Sequence, residues 1–510
     1  MFTAVAAAGL LTACVPALSG TDDEPPQTKA ECAAVKPATG GRRLRGMWIA
    51  TVTGMDWPAG AKSAAAQQTR YRRLLDTAKA MRLNAVFVQV RPTADAFYAS
   101  PYEPWSQWIT GRQGRDPGYD VLGFMLKEAH ARGLEFHTWF NPYRVSRQKK
   151  LKKLATSNPA RRHPDWVRKY GDGLWYDPGL PQVRDLVSNV VLDVVRKYDI
   201  DGVHFDDYFY PYPEGGAFPD QATYKKYGKG FASKAGWRRN NVNTLIQRVS
   251  DEVHKAKPWV RFGISPFGVW RNRSTDPAGS ATRALQSYDD IYADSRLWVK
   301  KGWVDYILPQ LYWPIGDSRA DYRTLTAWWS RQVRGTGVQL LIGHGAYRVG
   351  EPGPWRRAAE LSRQVAISDK SPEVSGNVFF SARDVLSNRR GFAAKIVADH
   401  YTRPALAPVA AGRPNAKPPA HVKTTTDGKA VTIRWQGPAD TLYAVYRADG
   451  KKAACAPVDP RALITTVRAG GISDPTVKPG ASYTYYVTAL DRANHQSTPA
   501  RGSTITVSRG

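Results

Sequence analysis

Two aspartates stand side by side in "IDGVHFDDYFYPYP" at residues 200–213, directly after a short apolar run and before a crowd of aromatic rings. Like charges repel, so a strand that only packs gains nothing by ending in them. Carboxyl groups that share a site do have a use. One can hand a proton to a leaving oxygen while another steadies, or attacks, the cation left behind, as glycoside hydrolysis requires. Side chains alternate along a strand. With Val203 and Phe205 packed outward, Gly202, His204 and Asp206 face the other way, and Asp207 starts in the opposite phase where strand gives way to loop. Asp206 is therefore expected to be a first catalytic carboxylate, and Asp207 a neighbour with a different role.

The same phase rule applied to other apolar runs gathers more polar and aromatic side chains at one end. "NAVFVQVRP" (84–92) turns Gln89 and Arg91 inward, and "LEFHTWFNPY" (134–143) turns His137, Trp139 and Asn141 inward, with Tyr143 and Arg144 just beyond. "VDYILPQLYW" (304–313) selects Gln310 and Tyr312 and ends at Trp313, while Tyr208 follows the acidic pair. Convergence from four runs marks a polar cleft walled by rings, the kind of surface on which sugars stack. The histidines His137 and His204 also fit as hydrogen-bonded fillers. A second carboxylate is sought in the segment "DAFYASPYEPWSQWITGRQGRDPGYD" (95–120), which carries Asp95 and Glu103. Glu103 sits among Tyr98, Tyr102, Trp105 and Trp108. An apolar wall disfavours a charged carboxyl, which suits a general acid. The expectation is thus Asp206 facing Glu103 across one glycosidic bond.

Such a cleft needs a scaffold that aims several strand ends at one point. Eight apolar runs begin near residues 45, 84, 134, 200, 261, 304, 338 and 376, with amphipathic stretches such as "QVRDLVSNVVLDVVRKY" between them. Eight strand–helix units over residues 43–402 predict a parallel (β/α)8 TIM barrel, whose active sites lie at the carboxyl ends of the strands. A doubly wound open sheet fits less well, because no glycine-rich phosphate loop follows the first strand. The Pro/Ala-rich stretch 403–420 reads as a linker, and residues 421–510, with "KAVTIRWQG" and "SYTYYVTALD", as a small all-β sandwich resembling a fibronectin type III module.

Composition places the molecule. The 510 residues carry 73 Lys and Arg against 44 Asp and Glu, a formal charge of +29. The charges are scattered and no nucleic-acid motif accompanies them, so anionic envelope polymers or lipid headgroups are the expected partners rather than nucleic acid. "MFTAVAAAGLLTAC" (1–14) resembles a lipobox ending at Cys14, which implies a lipid anchor on the membrane surface, with residues 15–42 as a tether. Localisation in the cell envelope, outside the cytoplasm, follows, or secretion if the lipobox is accidental. Cys32 and Cys455 suggest neither a disulfide nor a zinc site. A metal-dependent polysaccharide deacetylase would need paired histidine ligands, and no HxxxH occurs among the nine histidines. No metal and no cofactor is expected.

The segments "RGMWIATV", "VFVQVRPTADAFYAS", "EPWSQWITGRQGRDPGYDVL", "FHTWFNPYR", "WYDPGLPQVRD", "DGVHFDDYFYPYP" and "ILPQLYWP" together resemble the bacterial glycosyl-hydrolase-like family ten over about residues 42–400. That family includes envelope lipoproteins and divisome-localised glycosyl hydrolases. The resemblance implies a barrel that cleaves peptidoglycan glycan strands poor in stem peptides. It carries over Gln89, Arg91, Glu103, Asn141, Tyr143, Asp177, Asp206, Asp207, Gln310 and Tyr312 as site residues. "DGVHFDD" also looks like the fourth strand of amylase-type barrels, in which the aspartate at the place of Asp206 is the nucleophile. The fifth run here, "GISPFG", lacks their acidic glutamate. Asp177 is either a sugar-binding group or a turn former. A non-catalytic polysaccharide-binding scaffold would use the same residue types.

Overall fold

The computed structural model describes residues 41–412, 415–450 and 459–508; the lipobox, most of the tether, Cys14, Cys32 and Cys455 lie outside the described residues. The first body alternates strand and helix: β1 (Leu44–Ile49), α1 (Ala64–Ala80), β2 (Ala85–Arg91), α2 (Val121–Ala131), β3 (Glu135–Phe140), α3 (Pro181–Lys197), β4 (Gly202–Phe205) and α4 (Lys234–Ala256). It continues with β5 (Arg261–Ile264), α5 (Ser295–Lys301), β6 (Tyr306–Ile307), α6 (Tyr322–Val333), β7 (Gln339–Gly345), α7 (Ala359–Lys370), β8 (Val374–Phe380) and α8 (Phe392–Asp399). The strands are parallel and each pairs with its two chain neighbours, β1 closing on β8. This is a TIM barrel.

Alternation along the strands divides two cores. Val86, Val88, Phe136, Val203, Phe205 and Phe262 pack outward against helical residues such as Leu186, Val190 and Leu245. Leu44, Trp48, Phe87, Tyr306, Leu341 and Val378 fill the interior. Glycines make room there: a Cβ on Gly202 would lie 2.3 Å from the His137 ring, and one on Gly263 would lie 2.1 Å from the Tyr306 ring. Helix starts follow their side-chain acceptors, with Ser63, Asp120, Ser233, Asp294 and Asp321 each capping a backbone N–H of the first turn.

The strands are shorter than the apolar runs suggest. The β6 ladder stops at Ile307 because Pro309 has no N–H to give. The Leu308 N–H still donates to the Ile264 carbonyl at 2.9 Å, and bridging returns at Gln310, with Phe267 and Gly343. The loop after β3 holds an antiparallel insert absent from the sequence reading, with strands Arg144–Ser146, Gly173–Tyr176 and Val167–Tyr170 in that spatial order.

The C-terminal part is all-β. One sheet holds Ala420–Thr426, Val431–Gln436 and Gly471–Asp474; the other is built on Leu442–Asp449, Leu463–Val467 and Ser482–Leu490. Between them lie Val431, Ile433, Trp435, Tyr443, Tyr485 and Val487. This part docks on the amino-terminal end of the barrel. Asn494 Nδ2 donates to Glu135 Oε1 at 2.8 Å, and Arg492 reaches the carbonyl of Ile200 at 3.2 Å and the Asp201 carboxylate at 3.3 Å. The first half of the expected linker is packed rather than free. Ala405, Leu406 and Ala407 are buried, and the Ala405 carbonyl accepts from Asn84.

Candidate active site

A cavity of about 210 Å³ opens at the carboxyl ends of the strands, lined among others by Gln89, Trp139, Asp206, Asp207, Gln310 and Tyr312. Strand β4 ends at Phe205, so alternation lapses before the acidic pair and both carboxyl groups reach the same cavity. The opposite phase expected for Asp207 does not arise.

A one-way chain of amides orients Asp206. The backbone N–H groups of Thr51 and Val52, beyond β1, both donate to Gln89 Oε1 at 2.9 Å, which fixes that amide's direction. Gln89 Nε2 then donates to Asn141 Oδ1 at 2.6 Å, and Asn141 Nδ2 donates to Asp206 Oδ2 at 2.6 Å. The other Asp206 oxygen accepts from the Asp207 N–H at 2.8 Å. Each Asp206 oxygen thus has a donor aimed at it. Asp207 is the reverse case. Burial, and next the Asp206 charge in direct contact with it, push its pKa well above the usual carboxylate range, against the opposing hydrogen bond from the Tyr212 hydroxyl. Two carboxyl groups in contact but in unlike surroundings share this mouth, one held by two donors and the other with its charged form disfavoured, an arrangement suited to acid–base chemistry.

The remaining expected residues separate by depth. Gln89, Trp139, Asn141, Tyr208, Gln310 and Tyr312 surround the acidic pair or bond directly to it; the Tyr208 hydroxyl, for instance, accepts from Asn141 Nδ2 at 3.1 Å. Glu103 does not face Asp206. Its side chain is fully buried in a two-pronged ion pair with Arg91, with Nε–Oε2 at 2.7 Å and Nη2–Oε1 at 2.5 Å. A register shift after Gln89 takes Arg91 out of the expected inward phase and away from the cavity lining, where it meets Glu103, so the aromatic wall encloses an ion pair rather than an acid. Arg91 also holds the carbonyl oxygens of Asn141, at 2.5 Å, and Pro142, at 3.0 Å, and so positions Asn141 from beneath. Trp105 packs half-buried against the outer core, and Tyr143 is wholly buried. Asp177 is a turn former: it accepts from the Gly179 N–H at 2.9 Å and from Thr223 at 2.5 Å and pairs with Arg168 just before α3. Trp313 stands edge-on to Phe267, outside the cavity lining.

His204 and His137 lie below the cavity, fully buried, and burial lowers both pKa values. Neutral rings fit one continuous network: Trp48 Nε1 donates to His204 Nε2 at 3.2 Å, Tyr306 OH bridges the two Nδ1 atoms, and His137 Nε2 meets Glu135. They are fillers, not sugar ligands. Residues that sequence reasoning passed over are Trp48 and Phe380 on the cavity wall, Tyr212 on Asp207, and Arg147; Arg144, expected just beyond the third run, does line the cavity. Trp48 was recoverable, because the phase rule applied to β1 turns it inward. Among the described residues no three His, Cys, Asp or Glu side chains cluster as a metal-binding group.

Known proteins resemble this chain over most of its length. Residues 43–358 match the model of the family described as glycosyl hydrolase-like 10. The chain is 45% identical over 485 residues to glycosyl hydrolase YngK of Bacillus subtilis, covering 91% of this chain and 93% of that protein. It is also 45% identical over 361 residues to glycosyl hydrolase DigH of Escherichia coli, covering 66% of this chain and 82% of that one. Among solved structures, the glycoside hydrolase domain of PgaB from Bordetella bronchiseptica aligns at 15% identity with a TM-score of 0.48, over 70% of this chain and 97% of that one. By sequence, then, the protein belongs to the glycosyl hydrolase-like 10 family.

Proposed function

We propose that the protein is a glycoside hydrolase of cell-wall glycan, acting on peptidoglycan strands poor in stem peptides, with Asp207 as the acid. The observation that carries this reading is the contact between an oriented carboxylate and a carboxyl group of raised pKa in one cavity. Retaining enzymes with two flanking carboxyl groups hold them about 5–5.5 Å apart, and inverting ones further. Groups in contact stand on one side of the sugar, so the attacking group comes from the substrate itself. The 2-acetamido carbonyl of an N-acetylated sugar has the necessary reach.

In that scheme Asp207 gives its proton to the leaving oxygen as the bond from that oxygen to the anomeric carbon breaks. The acetamido oxygen bonds to the same carbon, forming a cyclic oxazolinium whose N–H donates to the Asp206 carboxylate. Water then opens the ring at the anomeric carbon and returns a proton to Asp207. Tyr208, Tyr312 and Trp139 supply the rings against which the sugar stacks. The charge of +29 supports a place in the anionic cell envelope, with a lipid anchor at Cys14.

Reducing-end release from peptide-free glycan strands tests both parts. Wild type cuts them, and Asp207→Asn slows cutting about a hundredfold or more. Strands whose acetamido groups have been converted to free amines resist. No release from any wall polymer by wild type removes the hydrolase reading and favours a binding scaffold. Cleavage of the amine-bearing strands removes the acetamide step alone.

A further inference from the structure

Beside the acidic pair lies a half-buried guanidinium, that of Arg144. Arg144 opens the insert sheet, and its guanidinium carbon stands 4.3 Å from the Tyr208 ring centre and 5.0 Å from that of Trp175. Those rings are themselves locked edge to face at 5.7 Å. Stacking on two fixed rings holds a planar cation in one orientation. Yet among the described residues its N–H groups meet no hydrogen-bond acceptor, and no acidic oxygen lies within 4.0 Å. Another half-buried arginine behaves differently: Arg271 grips Asp289 with two N–H groups and Asp276 with a third. Arg147, exposed, is likewise without an acidic partner among the described residues.

Both arginines line two cavities at once. One holds Asp206 and Asp207; the other, of about 250 Å³, is walled by Tyr170, Trp175 and Tyr212. A glycan that places one sugar against the acidic pair and the next among those rings passes directly over the two guanidinium groups. The nearby acids are otherwise engaged or open to water: Asp172 is fully exposed near Lys149, and Glu214 is exposed at the rim. A neutral sugar offers such a cation only hydroxyls, whereas a carboxylate matches the guanidinium fork with two parallel charge-assisted bonds.

We propose that Arg144 and Arg147 form a subsite for a carboxylate carried on the sugar next to the cleavage point. This rests on the reading of the site as one for wall glycan, and it names the group recognised: the lactyl ether carboxylate of muramic acid. Where a stem peptide is attached, that carboxyl is an amide and carries no charge. The subsite therefore gives peptide-free strands a recognisable mark.

Equilibrium binding separates this from catalysis. Full-length Asp207→Asn protein is titrated with peptide-free glycan fragments and with the same fragments after conversion of their carboxyl groups to primary amides. The expected result is affinity about tenfold or more higher for the carboxylate form, since hydrogen bonds to charged groups are worth that much. Arg144→Gln, and separately Arg147→Gln, shrinks the ratio towards one, while Arg144→Lys keeps part of it. Equal affinity for the two forms, no binding of either, or an unchanged ratio in both Gln variants overturns the subsite. Oligosaccharides bearing glucuronate form a second arm, and preference for them over the lactyl-bearing fragments overturns the lactyl assignment. Discrimination in binding without any hydrolysis by wild type supports the subsite and counts only against the catalytic scheme.

Discussion

The two ends of the barrel are made of the same residue types and put them to opposite uses. At the amino-terminal end Glu135 bonds Arg261 and Asn494, and Asp201 pairs with His130 and Arg492. Burial pushes the Glu135 pKa up, but the Arg261 charge and the His137 hydrogen bond outweigh it and hold the group at about 2. Asp201 likewise lies well below the usual range despite its burial. At the carboxyl end the acid Asp207 is shifted the other way and the cation Arg144 has no acidic partner among the described residues. Charges that find partners inside the chain serve stability and are chemically silent. Charges left without them are where a ligand or a proton transfer can supply what is missing.

This contrast can be broken at either end. The largest effect is expected for Asp207→Asn: loss of at least a hundredfold in rate on glycan strands with no loss in melting temperature, because the substitution removes an acid whose ionisation is already disfavoured. A melting temperature that fell sharply would make the pair structural. Arg261→Met should do the reverse. It leaves Glu135 buried without its counter-charge and costs about 3–5 kcal/mol in denaturant unfolding. Adding Glu135→Gln should restore much of that, and turnover per folded molecule should stay near wild type. Asn141→Leu removes the donor to Asp206 and should lower kcat about tenfold to a hundredfold, the worth of one hydrogen bond to a charged group. An unchanged kcat would mean that the amide chain does not serve the reaction.

The smallest effect concerns pH. Asp95, wholly buried in the loop after β2, has its pKa raised to about 7, chiefly by burial, against hydrogen bonds from Gln113, Ser106 and Thr93. A raised acid binds its proton more tightly folded than unfolded, so its contribution is full below pH 4 and is lost as pH rises through 7. Asp95→Asn should therefore flatten the fall in melting temperature between pH 5 and 8. Glu135 has the opposite sign, and its contribution, present above about 4.5, fades only as pH drops towards 2.

The barrel was legible because two periods ran through the sequence at once, the alternation within each strand and the strand–helix repeat along the chain. The same alternation found Gln89, Asn141 and Asp206 facing one another across three strands. It failed where the chain left the strands. Glu103 was read from its apolar neighbours in sequence, but only the folded loop shows that Arg91 reaches it. Asp207 kept a strand's phase on paper after the strand had ended. The insert carrying Arg144 is built of strands of three or four residues, too short for any period to show.

The one-way amide chain has a consequence for how such a site can change. Its direction is imposed by two peptide N–H groups after β1 and passes through side chains at the ends of β2 and β3, so the polarity felt by the carboxylate belongs to the scaffold. The cations that would read the sugar's decoration sit on a separate flap of chain. A graft of residues 144–176 from a relative could exchange one decoration for another while the machinery beneath it went on working unaltered.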